Sequence, residues 1–304
     1  MERRTFLVSF TAALARASAT LPANQKVKWA LSAALWNRFP PVPFTDILDV
    51  MRDTGFIGVR LTNFPRSLET YGIASAQLQR EVDKRNLRVV TISFNGPLHD
   101  PAQRRKVLDD ARRAMEFLKD FGANHLVVFS PGRLKTGVDV DGAFQELCAG
   151  YNQLGELAGE MGFTAGVHNH LGQMVESAEE VERCMALTDA KLFGFSPDTA
   201  HLHLAGANVT EMLNRYKTRI RFLDYKDAKW TTPVGSQTPE DRFFASIYDL
   251  GDGEIDFPAC HHILKSVSYR GWICVDLDTA RNGALASYKH CGAYIVANLE
   301  PIYR

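Results

Sequence analysis

The stretch TAGVHNHLGQMVESAEEVERCMAL, residues 164–187, contains one complete structural unit. It opens as a short apolar run that ends in His168, Asn169 and His170. After Gly172 it restarts as a helix, where Ser177 followed by Glu180 forms a capping box ahead of an amphipathic segment. A short run with almost no polar alternation has the character of a strand buried on both faces, as in a parallel sheet covered by helices. The number of such strand–helix units decides between an open sheet and a closed barrel.

Outward from this unit the same alternation recurs. The predicted strands are VKWALSAAL (27–35), IGVRLT (57–62), RVVTISF (88–94), HLVVFS (125–130), TAGVHN (164–169), LFGFSP (192–197), IRFLDY (220–225) and WICVDL (272–277). Between them lie helical patterns such as residues 44–55 and 102–122, which end on Gly55 and Gly122, the residue type that closes a helix in the left-handed conformation. Eight units with no linker, repeat or low-complexity segment predict a single (β/α)8 TIM barrel over residues 25–304. One long insertion, residues 228–254, falls on the side where barrels carry their functional loops.

Bulk properties narrow the function. The 35 basic and 35 acidic residues give a formal net charge of zero, so nothing draws the chain as a whole toward nucleic acid or anionic lipid. The five cysteines are widely spaced without a CxxC pair and read as buried thiols, neither disulfides nor zinc ligands. Residues 1–24 read as a processing segment: Arg3-Arg4 before Thr5-Phe6-Leu7 has the form of a twin-arginine export signal, and Ala17-Ser18-Ala19 that of a cleavage site. The expected location is therefore the periplasm, with an amphipathic N-terminal helix of a cytoplasmic protein as the alternative. No stretch is long and apolar enough for a membrane span.

In a barrel the chemistry stands at the C-terminal ends of the strands. The fifth strand delivers His168, Asn169 and His170; the sixth Asp198 and His201; the seventh Asp224, Lys226 and Asp227; the eighth Asp276 and Asp278. Each alone is as well explained as a cap, and Asp198 before Thr199 could be one. Together they form a ring that is costly to bury unless its charges are paired or hold a cation. One or two imidazoles with several carboxylates suit a single divalent ion, Mn²⁺ first, with Mg²⁺, Co²⁺ or Zn²⁺ as alternatives.

Through VHNHLGQMVE (167–176), FSPDTAHLHLAG (195–206), RIRFLDYKD (219–227), LGDGEIDF (250–257) and YRGWICVDLD (269–278), the chain resembles the xylose-isomerase-like barrel family. That family contains sugar isomerases and epimerases, inosose dehydratases and endonuclease-IV-type enzymes. The resemblance implies a metal held by residues from the last four strands, which here are His168, Asp198, Asp224 and Asp276. Three of these depart from the family pattern: His168 stands for Glu, Asp224 for His and Asp276 for Glu. The His-x-His-x-Gly form is itself that of the dehydratase-like branch. The implied chemistry is proton abstraction beside a carbonyl through an enediolate, with His168, His201 and Asp276 catalytic.

His170, Lys226, Glu176, Trp36 and Asn95 are expected to bind substrate, with Asn37, Asn63 and His203 as further candidates. The expected activity is a metal-dependent isomerase or epimerase acting on a small carbohydrate. The alternatives are an inosose-dehydratase-like lyase or a metal-free sugar-binding barrel without turnover, while a three-metal phosphoesterase is least compatible with these strand ends. Neither nucleic acid nor a membrane is an expected partner, and association into a homo-oligomer is left open.

Overall fold

The computed structural model describes residues 26–303 apart from 63–67, 70–71, 136, 138, 233–234 and 236–237. The proposed export signal and Asn63 lie outside the described residues. All eight expected strands form: β1 (Val27–Ser32), β2 (Gly58–Leu61), β3 (Arg88–Phe94), β4 (His125–Phe129), β5 (Thr164–His168), β6 (Phe193–Phe195), β7 (Leu223–Tyr225) and, after two short strands in the insertion, β10 (Gly271–Val275). They make one parallel sheet in the order β6, β5, β4, β3, β2, β1, β10, β7.

The two sheet edges meet. Phe195 N–H donates to the Arg219 carbonyl at 2.8 Å, Arg221 N–H to that of Phe195 at 2.9 Å and Asp224 N–H to that of Pro197 at 2.9 Å. Parallel bridges join Phe195 to Ile220 and Asp198 to Asp224. The sheet thus curls into a barrel, and its last bridge places Asp198 beside Asp224 at the rim.

Strand side chains alternate between lumen and outer face, which divides the core in two. Ala30, Val90, Val127, Phe222 and Cys274 fill the lumen, while a larger apolar layer lies between sheet and helices. The helices start and stop where the sequence places them. Ser177 and Glu180 close a reciprocal capping box ahead of helix Ala178–Leu187, and Gly55 and Gly122 follow helices Phe44–Asp53 and Pro101–Asp120 with φ of 84° and 68°. All five cysteines are free and buried.

All the expected strands except the third are shorter than read. The first ends at Ser32, whose side chain caps a 3₁₀ turn, Ala33–Arg38, by accepting from Ala34 N–H at 3.0 Å. The insertion has structure of its own: β8 (Asp227–Ala228) pairs antiparallel with β9 (Ile247–Tyr248), and helix Pro239–Ala245 lies between them. Asp227 anchors the return of the chain. Its carboxylate accepts N–H donation from Ala228 at 2.9 Å, Gly251 at 2.9 Å, Gly253 at 3.0 Å and Ile255 at 3.2 Å.

Candidate active site at the barrel mouth

Asp198 is both a cap and a site residue. Its Oδ1 accepts from His201 N–H at 3.0 Å and caps helix Thr199–Leu204. Its Oδ2 is buried without a hydrogen bond and lies 3.0 Å from the Lys226 ammonium. Asn169 fixes this corner, accepting from Asp198 N–H at 3.0 Å and donating to its carbonyl at 3.2 Å. His168 Nε2 and His201 Nε2 each stand 3.9 Å from Asp198 Oδ2.

Among the described residues, His168, Asp198 and His201 offer donor atoms close enough for one cation. Two imidazoles and one carboxylate are donor types that fit a divalent ion with bonds of about 2.0–2.2 Å, although the Lys226 ammonium already stands 3.0 Å from Asp198 Oδ2 and would have to share that oxygen. His168 and Asp198 are the firmer donors, because His201 Nδ1 receives Leu171 N–H at 3.4 Å. Its Nε2 faces the Lys226 ammonium, a donor only, at 3.5 Å, so both ring nitrogens of His201 already have a neighbour.

Asp224 and Asp276 lie outside this three-residue cluster, and both are held by arginine. Arg60, on β2, reaches into the lumen to form a short ion pair with Asp224 Oδ2, places its second nitrogen 3.0 Å from Asp276 Oδ2, and donates from it to Ser32 Oγ at 3.1 Å. The sequence reading did not single out Arg60. The signal was present: a lone arginine in a four-residue strand with every position buried must find carboxylates or destabilise the fold.

Lys226 is the second buried cation, 1% exposed. Thr199 pins its backbone, with Oγ1 donating to the Lys226 carbonyl at 2.8 Å and accepting its N–H at 3.0 Å. The ammonium stands 2.7 Å from Asp276 Oδ2, 2.7 Å from Asp278 Oδ2 and 3.0 Å from Asp198 Oδ2. Burial would lower its pKa, but these carboxylates override that and hold it well above the usual lysine range.

Elsewhere burial sets the charges. It pushes the Asp198 carboxyl up to about 6 and that of Asp224 up to about 7, against the pull of Lys226 and Arg60 respectively. For Asp276 burial is outweighed by Arg60 and Lys226, which hold the carboxyl far below its ordinary value. Burial lowers His168 to about 3 and lowers His170 and His201 as well. All three imidazoles are thus neutral near pH 7. The proton of His170 is placed by its own loop: Nδ1 donates to the Leu171 carbonyl at 2.7 Å, so Nε2 carries the lone pair.

These groups open on a cavity of about 260 Å³. His168, His170, Arg60, Lys226, Asp276 and Asp278 line it, with Asn37, Thr62, Ser93, Asn95 and Gln173 adding amides and hydroxyls suited to a polyhydroxylated ligand. Phe243, from the insertion, stacks on His201 with centroids 5.2 Å apart and covers that side.

Other expected substrate groups stand elsewhere. Glu176 accepts Gly172 N–H at 2.7 Å and pairs with Arg133 at 3.2 Å, closing a turn beside the mouth. Trp36 is buried against Tyr288, with centroids 6.0 Å apart. His203 faces Glu254 at 3.5 Å.

Fold and mouth together define a (β/α)8 barrel with donors for a divalent cation at the C-terminal ends of its strands. The chain belongs to the xylose isomerase-like TIM barrel family, whose match spans residues 48–291. It is 30% identical over 218 residues to the inosose dehydratase of Bacillus velezensis, covering 66% of this chain and 72% of that enzyme.

Two solved structures share the fold. The probable 3-DHS dehydratase AsbF of Bacillus anthracis, involved in petrobactin synthesis, aligns with a TM-score of 0.71 at 14% identity over 88% of this chain and 98% of its own. The IOLI protein with a bound zinc atom aligns with a TM-score of 0.70 at 17% identity over 90% and 98%. At such identities these likenesses establish the fold alone.

Proposed function

We propose that this chain is a metal-dependent lyase that removes water from a small polyhydroxylated ketone, as the dehydratases it resembles in sequence do by name. The observation that carries the proposal is the asymmetry of the mouth. On the β5 side His170 presents a neutral, unprotonated Nε2; on the β10 side Asp276 is engaged by two cations and makes a poor base, while Lys226 presents an ammonium. One base facing one acid suits elimination. An epimerase would set the same base and acid on opposite faces of one carbon, and the likeness to inosose dehydratases favours elimination over that use of the pair.

In the proposed reaction His170 Nε2 removes the proton from the carbon beside the carbonyl. The bond to the β-hydroxyl then breaks, the departing oxygen takes a proton from Lys226 and leaves as water, and the enol left at the hydroxylated α-carbon takes a solvent proton on the β-carbon to become a diketone. No oxidant or reductant is required. A divalent ion held by His168, Asp198 and His201 would supply Lewis-acid polarisation of the carbonyl. Mn²⁺ is the ion expected from the sequence; two imidazoles with one carboxylate suit Zn²⁺ or Co²⁺ equally well. Asn37, Asn95 and Gln173 orient the hydroxyls.

The test is incubation with a panel of inososes and keto-sugars in D₂O, with Zn²⁺, Co²⁺ or Mn²⁺ supplied, followed by mass spectrometry and NMR. Loss of one water with deuterium entering the product supports the proposal. A product that keeps its water and gains one deuterium would replace it with the isomerase or epimerase reading, and no exchange across the panel with ligand binding retained would favour the non-catalytic barrel. Export to the periplasm belongs to the proposal through Arg3-Arg4 and residues 17–19. N-terminal sequencing of protein recovered from the periplasm tests it, and an uncleaved cytoplasmic chain would refute it.

A further inference from the structure

We infer that Arg60 is the positioning residue of the site, fixing which nitrogen of His168 faces the metal position. This inference rests on the metal reading above.

Asp224 Oδ2 stands 3.1 Å from His168 Nδ1, off the N–H axis, so the contact acts through charge more than as a linear hydrogen bond. A lone pair on Nδ1 would face a carboxylate oxygen at that distance and be repelled. The neutral ring therefore keeps its proton on Nδ1 and turns its lone pair, on Nε2, toward Asp198. Asp224 can hold this post only if Oδ2 stays in place with its lone pairs toward Nδ1; the Arg60 contact on Oδ2 leaves Oδ1 as the oxygen that would carry a proton. No cation from its own strand or from β5 or β6 contacts it; the group that does is Arg60, from β2.

The fork of Arg60 performs a second task with the same placement. Its other nitrogen grips Asp276 and Ser32, so one guanidinium fixes carboxylates from β7 and β10 against β1. Both carboxylates are thereby engaged away from the position where His168, Asp198 and His201 would hold an ion. A lysine at position 60 would supply the charge without the planar two-nitrogen fork and could not grip both acids in this geometry.

The experiment compares wild type with Arg60→Lys, Asp224→Asn and His168→Gln. ¹⁵N-histidine NMR without added metal reads the His168 tautomer, and titration calorimetry with Co²⁺ alone reads the ion. The wild type is expected to show a single Nδ1–H tautomer for His168. Arg60→Lys and Asp224→Asn are expected to show mixed or reversed tautomers and Co²⁺ affinity weakened about 10–100-fold with folding retained. An unchanged tautomer and Co²⁺ affinity in a folded Arg60→Lys variant overturns the inference, as does loss of the fold in both variants, which would make the role purely structural. His168→Gln separates the two readings: if it binds Co²⁺ as wild type does, the metal reading fails, while the tautomer spectra still judge Arg60.

Discussion

Replacing Lys226 with methionine separates the two halves of the proposed reaction. The ammonium lies 2.7 Å from Asp276 and Asp278 and 3.0 Å from Asp198, so its loss leaves those acids with Arg60 as the remaining internal cation. Unpairing a buried charge costs about 3–5 kcal/mol. Part of that is recovered, because burial already pushes Asp198 up to about 6 and it can take a proton in place of the missing partner.

A loss of about 3 kcal/mol near pH 7 is expected, or about 6–12 °C in Tm for a chain of this size. The fold should therefore survive. For catalysis, removing a general acid costs about 10²–10⁴-fold, equivalent to about 2.7–5.5 kcal/mol of barrier.

The assay measures water loss and α-proton exchange in D₂O on the same sample. Water loss should fall by about 10²–10⁴-fold. Exchange depends on His170 and should fall by less than about tenfold, because the departing hydroxyl alone needs the lysine proton. A parallel fall in both rates would refute the division of labour and return Lys226 to a role in substrate binding or ground-state electrostatics.

Other perturbations address metal, loop and pH. Asp198→Ala removes the shared donor, so Zn²⁺ or Co²⁺ at 100 times the wild-type Kd should stabilise the wild type by about 2.7 kcal/mol and leave this variant unmoved in thermal melts. Asp227→Asn turns an amide toward two of the four backbone N–H groups that the carboxylate satisfies, and urea unfolding should show a loss of about 2–6 kcal/mol; a change below 1 kcal/mol, on the same scale, would dismiss the anchor.

His125 is buried between Thr164 Oγ1 at 2.8 Å and Ser196 Oγ at 3.0 Å, and burial lowers it to about 3. Its unfolded form takes up a proton near pH 6.5 and the folded form does not until about 3, so stability falls as pH drops through that window. The cost is about 2 kcal/mol at pH 5. His125→Gln should lessen the pH dependence of the urea midpoint between pH 7.5 and 5 by one proton's share, the other buried imidazoles keeping theirs, and an unchanged slope would contradict the assignment.

The barrel was legible because buried parallel strands and capped helices leave local marks: nearly continuous apolar runs, Ser177 with Glu180, Gly55 and Gly122 after their helices. The rim was legible for a related reason, since each strand end carries its polar residues a fixed distance beyond the last apolar one. His168, His170, Lys226 and Asp276 do meet at one cavity. Glu176 and Trp36 were chosen by the same rule and stand apart from it, one closing a turn and the other packing on Tyr288. Position after a strand gives proximity to the mouth, whereas the rotation of the chain beyond the strand decides where a side chain points.

The sequence by itself determined the eight strand–helix units, the family and the set of groups able to do chemistry, because those depend on periodicity and on residues close together in the chain. The tertiary structure alone decided how the charges are divided. Arg60 and Asp224 are 164 positions apart, and no local pattern reports that barrel closure brings them into contact. Arg60 engages both Asp224 and Asp276, two of the four ligands read from the strand ends, and His168, Asp198 and His201 are left as the candidate donors for an ion. The physical reason is that a buried charge must be neutralised by whichever opposite charge the fold brings near it.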